Sequence, residues 1–149
     1  MHTQCHRMNV RKLRNISSEE FSQINILLKK LSPKAPDISQ ERLDRLIDKE
    51  SFSLFVTEEE ATITGMLTLT RCDTLAKSKY WIEDVVVDPA FRGKGAGRAL
   101  IQTAIAHVKR AEEHCVIYLT SNPSRVEART LYRSEGFEEY ETGVFRIKI

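Results

Sequence analysis

Three glycines alternate with other small or cationic residues in Arg92-Gly-Lys-Gly-Ala-Gly-Arg98, just after the apolar run Val85-Val-Val87 and the stop Asp88-Pro89. Gly93, Gly95 and Gly97 free the backbone from the usual steric limits and remove side chains that would block a ligand. A helix opening at Ala96 leaves its first N–H groups outward-facing and without helical partners. The helix dipole and the charges of Arg92, Lys94 and Arg98 make this point an anion site, for which a diphosphate is the natural guest. Two common diphosphate loops do not fit. A P-loop requires G-x-x-x-x-G-K-S/T, whereas Gly97 is followed by Arg98-Ala99. The dinucleotide fingerprint G-x-G-x-x-G is replaced by G-x-G-x-G, and it belongs near the start of a βαβ fold rather than after several strands. The loop instead satisfies R/Q-x-x-G-x-G/A, from Arg92 to Gly97. An ordinary strand–helix turn rarely needs alternating glycines beside cations.

That pattern, the V-x-V-D-P strand end before it (Val85 to Pro89) and its place in the chain resemble the GNAT superfamily of acyl-coenzyme A N-acyltransferases. A second family pattern, A-x-x-L-Y-x-x-x-G-F, is present from Ala128 through Leu131, Tyr132 and Gly136 to Phe137. The order of elements fits the family from Val10 to Ile149. The resemblance implies an α/β (α+β) fold: a central mixed, mostly antiparallel sheet, about four flanking helices, and a cofactor cleft where one strand splays from its neighbour. It implies acetyl-coenzyme A as cosubstrate and no metal. It assigns the diphosphate to Arg92, Gly93, Lys94, Gly95, Ala96, Gly97 and Arg98. It assigns the pantetheine arm to the backbone of Val85 and Val87, with Val86 between them in the same site. Where many members have Asn three residues before the alanine of the second pattern, this chain has Arg125, which sits where a first-turn cation can reach cofactor phosphate.

Acetyl transfer to an amine by direct attack raises two proton problems and needs no covalent enzyme intermediate. An alkylammonium must lose a proton before it can attack, and the departing thiolate benefits from gaining one. Glu83 and Asp84 precede the cofactor loop, and strand alternation places them on opposite faces. The string Trp81-Ile-Glu-Asp-Val-Val-Val87 resembles the same strand of glucosamine-6-phosphate N-acetyltransferases. Glu83 is taken as acceptor anchor or general base, directly or through water; the alternative is a rim carboxylate or an ion-pair partner. Tyr132 stands where the family often has a tyrosine near the thioester sulfur, which implies a proton donor to the thiolate; the alternative is packing beside Ala128 and Leu131. His107 and His114 read as solvated helix surface, and His2, Cys5 and His6 as a terminal cluster.

The elements that must position these residues follow from pattern. Met8 to Arg14 alternates as a first strand. Ser17 and Glu20 form a capping box opening a helix with Phe21, Ile24, Leu27, Leu28 and Leu31 on one face, ended by Ser32 to Pro36. A short helix starts at Ser39. Phe52–Thr57 and Ala61–Thr70 read as a hairpin around Glu58 to Glu60, and Tyr80–Val87 as a further strand. Ala96–Glu113 is a helix. Cys115–Thr120 is a nearly all-apolar strand, consistent with burial on both faces. Ser124 and Glu127 suggest a second capping box before a helix closed by Gly136. Phe137–Tyr140 and Gly143–Ile149 read as final strands. The loops around Ser32–Pro36 and Arg71–Lys79 and the C-terminal hairpin are expected to set the acceptor.

The 149 residues suit a single N-acetyltransferase domain over 1–149, with 1–7 expected to be disordered and the pattern beginning at Met8. Hydrophobic residues at 41% and charged residues at 30% describe a globular chain. A formal charge of only +2 argues against nucleic acid or an anionic membrane as partner. Three widely spaced cysteines form neither a disulfide framework nor a zinc site, which points to the cytoplasm. The expected partner is a small-molecule or protein amine, and a homodimer is left open. Two rival functions are an acyl-coenzyme A sensor without turnover and an amino-sugar phosphate N-acetyltransferase.

Overall fold

The computed structural model describes residues 8–149. The terminal cluster of His2, Cys5 and His6 and the disorder expected over 1–7 lie outside the described residues. The elements in chain order are β1 (Val10–Lys12), α1 (Ser18–Leu31), α2 (Gln40–Ile47), β2 (Phe52–Glu59), β3 (Thr62–Asp73), β4 (Ser78–Val87), a 3₁₀ turn (Pro89–Phe91), α3 (Ala96–Ala111), β5 (Val116–Leu119) and α4 (Val126–Ser134). The strands form one mixed sheet in the order β1-β2-β3-β4-β5. All neighbours are antiparallel except β4 and β5, which run parallel.

Local chemistry explains the helix starts. The Glu20 N–H donates to Ser17 Oγ at 3.1 Å, while the Ser17 N–H donates to Glu20 Oε2 at 2.9 Å, so the capping box of α1 is complete. Ser39 Oγ accepts from the Arg42 N–H at 3.1 Å and caps α2. The sheet is covered on both faces. Strand alternation, reset in β3 by a register shift at Thr64, sends Leu54, Val56, Ile63 and Met66 to a core with Ile24 and Leu27 of α1 and Leu43 of α2. It sends Phe55, Leu67, Leu69, Tyr80 and Ile82 to the other core, with Leu100, Ile101 and Ala104 of α3 and Tyr132 of α4.

Four expectations fail. Ser124 and Glu127 form no capping box: Arg125 is the N-cap of α4 and gives no side-chain cap. Ser124 turns instead to Asn122, whose Oδ1 accepts from its N–H at 3.0 Å and its Oγ at 2.9 Å. No final strands form. Gly136, at φ 95°, ends α4; the chain after it is in neither helix nor strand, and every residue from Glu138 to Ile149 is exposed. β5 is consequently an edge strand of four residues, with none buried on both faces. His107 is half-buried, since it lies three residues after Ala104 on the inner face of α3 and packs edge-on against Phe55 at 5.5 Å.

The β2–β3 hairpin turns through Glu60 and Ala61 at φ 47° and 62°, a left-handed pair that asparagine and glycine fill best. We expect Ala61→Gly to remove the Cβ penalty and raise stability by about 0.5–1 kcal/mol after the flexibility glycine adds to the unfolded chain. Urea denaturation of both proteins measures it, as a higher midpoint at unchanged slope.

Candidate active site

β4 carries the site, and its register explains how. Its pairing with β5 runs from Lys79 opposite Val116 to Ile82 opposite Leu119 and stops there. Its pairing with β3 continues to Val87 but shifts between Met66 and Thr68, so that Asp84 and Val85 together oppose Leu67. This is a β-bulge, which bends the strand that contains the extra residue. Asp84 sits at φ 51°, the left-handed conformation that glycine usually takes at the first position of a G1-type bulge. Thr68 Oγ1 donates to Asp84 Oδ2 at 2.8 Å and holds it there.

The bulge overturns the expectation that Glu83 and Asp84 face opposite sides. Glu83 lies directly across from Thr68 in register and therefore shares its face, and Asp84 is bonded to the same threonine. Both carboxylates thus lie on the α1/α2 face at the point where β4 leaves β5. Glu83 is exposed at its surface, yet desolvation by its surroundings, followed by the neighbouring Asp84, pushes its carboxyl above its ordinary value. After the bulge the alternation is inverted. Val86 enters the α1/α2 core, and Val85 and Val87 pack toward α3.

Beyond β4 the chain is pinned before it loops. The Asp88 N–H donates to the Thr64 carbonyl at 2.7 Å. Its carboxylate accepts from Lys30 Nζ at 2.6 Å and from the Ala90 N–H at 3.0 Å, and these bonds hold it below the usual carboxylate range. Gly93 and Gly95 follow at φ 79° and 85°. Gly95 is the N-cap of α3 and has no side chain to bond the free N–H groups of the first turn. Gly97 serves closeness rather than conformation: a Cβ there would stand 3.3 Å from Leu131 Cδ2.

A cleft of about 930 Å³ opens between the loop, the free side of β4 and the start of α4. Val85, Val86 and Val87 line it, as do Arg92, Gly93, Gly95, Ala96, Gly97 and Arg98. α4 adds Arg125, Leu131 and Tyr132, and its N-terminus also lacks a side-chain cap, so two uncapped helix starts open on one cleft. Arg92 Nε donates to the Val87 carbonyl at 3.4 Å, Arg98 is ion-paired with Glu135, and Arg125 makes no ion pair among the described residues. Two site residues expected from sequence stand outside this lining. Lys94 turns to Glu59 at 3.2 Å and over the Phe91 ring at 5.4 Å. Glu83 lies in the middle of β4, just before the bulge. Lys30 and Leu31, from the last turn of α1, line the cleft unannounced by sequence; the packing of α1 on the sheet brings them there, and Lys30 bonds Asp88.

Tyr132 is 5% exposed, packs edge-on against Phe137 at 6.1 Å and lines the cleft. Burial raises its pKa and Arg125 opposes the rise; no hydrogen bond enters the balance. Its phenol stays protonated at neutral pH and is free to donate.

A sequence profile of the acetyltransferase (GNAT) family matches residues 10–137. The chain belongs to the GNAT family. It is 30% identical over 77 residues to the N-alpha-acetyltransferase RimI of Mycobacterium tuberculosis, covering 52% of this chain and 46% of that protein. It is 33% identical over 89 residues to an uncharacterized protein of Mycobacterium leprae, covering 59% of this chain and 24% of that one. The matches thus span about half or less of these relatives. The GNAT fold is also that of an aminoglycoside acetyltransferase from an uncultured soil metagenomic sample, solved with sisomicin (TM-score 0.84, 20% identity, 95% of this chain and 96% of that one). It recurs in the aminoglycoside N-acetyltransferase AAC(6')-Iy, solved with coenzyme A (TM-score 0.77, 19% identity, 95% of each chain). In this GNAT chain no helix among the described residues is long and apolar enough to cross a membrane.

Because the pKa of Glu83 is raised by folding, its ionised form opposes folding. Its favourable contribution is complete below the unfolded-state pKa and is lost as pH rises through the folded value. We expect Glu83→Gln to raise the melting temperature at pH 7 and to leave it nearly unchanged at pH 4, as differential scanning calorimetry at the two pH values will report.

Proposed function

We propose that the protein transfers the acetyl group of acetyl-coenzyme A to a cationic amine by direct attack. The observation that carries this reading is the wedge between β4 and β5, with an uncapped, cation-flanked anion site at one end and two carboxylates at the other. The cleft fits the cosubstrate on its own chemistry. Gly93 and Gly95 leave open space where a side chain would stand, the free N–H groups of α3 face the cleft, and Arg92, Arg98 and Arg125 supply positive charge for phosphate. The loop from Arg92 to Arg98, with its backbone at Lys94, would hold the diphosphate. The backbone of Val85 and Val87, which pairs with no strand on the β5 side, would take the amides of the pantetheine arm, displacing the Arg92 bond to the Val87 carbonyl. Coenzyme A, when bound, supplies the activated thioester. The solved relative with coenzyme A supports this assignment by likeness of fold.

The chain's own groups serve the two proton transfers. Glu83, whose raised pKa brings it nearer neutrality, accepts the ammonium proton directly or through water, and Asp84 adds negative charge that attracts the cation. Tyr132, protonated and without a hydrogen-bond partner among the described residues, donates to the departing thiolate. Relatives solved as aminoglycoside acetyltransferases support a small polyamine-like acceptor, and the RimI match keeps peptide amines in the set to be tested.

A thiol-release assay with acetyl-coenzyme A against aminoglycosides, polyamines, amino sugar phosphates and peptide amines tests the reading. Release with any of these amines supports it, and binding of coenzyme A with no release across the set would make the protein a sensor. With an acceptor in hand, Tyr132→Phe should lower kcat by about 10²-fold at unchanged acetyl-coenzyme A affinity. In wild type kcat/KM should rise with pH through a limb above the value of an unperturbed glutamate and below the amine's own pKa. Glu83→Gln should lose that limb and recover at higher pH, where more amine is already neutral. Stopped-flow rates across pH 5–10 separate the two variants.

A further inference from the structure

We propose that the sheet face beside the two carboxylates takes the N-terminal segment of a polypeptide acceptor, with an apolar side chain laid on Trp81 and Tyr118 and an acidic side chain met by Lys79. This choice of acceptor rests on the acetyl transfer proposed above and selects among the amines tested there. Strand register puts the groups in one line. Glu83 lies opposite Thr68, Trp81 opposite Thr70 and Lys79 opposite Cys72, so these three residues of β4 share the α1/α2 face. On the other side Trp81 lies opposite Tyr118, and Lys79 opposite Val116, which places both β5 residues on that face too. The core under α1 and α2 does not reach them. Trp81, Tyr118 and Val116 are not among the residues packed there, and Val116 is 38% exposed.

This face is a track with an opposite charge at each end. The rings of Trp81 and Tyr118 stack at 5.1 Å with 29° between their planes and form an apolar shelf. Lys79 Nζ stands 5.9 Å from the centre of the Tyr118 ring, which holds the ammonium over the shelf, and it has no carboxylate partner among the described residues. Glu83 and Asp84 lie at the other end, where β4 parts from β5 and the acceptor nitrogen meets the thioester. Four strand residues separate Lys79 from Glu83, about 13 Å. An ammonium at Glu83, an apolar group on the rings and an anion at Lys79 complement this order of charge. A polycation brings its second ammonium against Lys79 and is repelled. The shelf is also open: Glu83 and Asp84 are exposed, and Lys79, Trp81 and Tyr118 are half-buried. A small molecule lying on an open face buries too little of its surface to be held. An extended chain covers the face and runs on past Lys79, because its rise per residue matches that of β4. Its third residue then lies over the rings, and its fourth and fifth lie within reach of Lys79.

Trp81 is the only tryptophan of the chain, so its fluorescence reports occupancy of the shelf without any need for turnover. Two pentapeptides with free N-termini serve as probes. Both have phenylalanine at the third position, and they differ in carrying glutamate or lysine at the fourth and fifth. With coenzyme A present, the glutamate peptide should bind about tenfold more tightly than the lysine peptide, and more tightly than spermine. Lys79→Glu should reverse the order of the two peptides. Lys109→Glu, the same change at an exposed site on α3 across the sheet, should leave it unchanged. Should Lys79→Glu not fold, Lys79→Met keeps the stem, loses the charge and should erase the preference. Equal binding of the two peptides, tighter binding of the lysine peptide or of spermine, no binding of either peptide, or a preference that survives the Lys79 variants overturns the proposal. Thiol release separates this from the reaction itself. Binding in the expected order with no release from acetyl-coenzyme A would contradict acetyl transfer and still support the peptide shelf.

Discussion

The hydrogen bond from Thr68 to Asp84 marks the place where the sheet stops being a sheet. One extra residue in β4 cannot be accommodated while the strand keeps both neighbours, and the side that yields is the parallel one. β4 stays bonded to β3 through Val87 and abandons β5 after Ile82. A non-glycine residue in a left-handed conformation costs on the order of 1–3 kcal/mol and persists only where its surroundings over-determine it. Here they do: Tyr80 and Ile82 are locked in one core before the bulge, Val86 is locked in the other after it, and the threonine hydroxyl holds the side chain between them. The cleft, the inverted alternation of the three valines and the shared face of the two carboxylates all follow from this one insertion.

The wedge also separates charge. Arg92, Arg98, Arg125 and Lys30 gather where α3 and α4 begin, while Glu83 and Asp84 lie at the other end of the free stretch of β4. A ligand that is anionic at one end and meets a cation at the other finds both fields arranged along one strand. The uncapped helix starts add to the positive end without placing any side chain in the way, which is why the loop carries glycine at its cap and Ser124 is turned aside to Asn122.

Much of this was legible in the sequence, and the residues that escaped share a reason. The glycine loop, the capping box of Ser17 and Glu20 and the two-faced cores follow from local pattern and spacing. The bulge does not, because period-2 reasoning assumes that every residue has one partner, and nothing in Glu83-Asp84-Val85 announces the exception. Lys30 escaped because the packing of α1 on the sheet, and its bond to Asp88 58 residues away in the chain, are long-range facts. His107 was assigned to the polar face by residue type, although its position after Ala104 places it against Phe55. The C-terminal strands escaped for the opposite reason: the alternation of Phe145, Ile147 and Ile149 is genuine, but the segment finds no strand within its own chain to pair with.

Calorimetric titration of coenzyme A into the wild type and two variants of the α3 cap tests the central claim most directly. Gly95→Asn and Gly95→Asp impose the same left-handed residue and nearly the same bulk at φ 85°, and differ in one charge aimed at the proposed diphosphate site. The account predicts that the wild type binds, that the asparagine variant binds less tightly, and that the aspartate variant is weaker again by at least about tenfold, an electrostatic loss of about 1.4 kcal/mol. Equal affinity of the two folded variants for coenzyme A would contradict it.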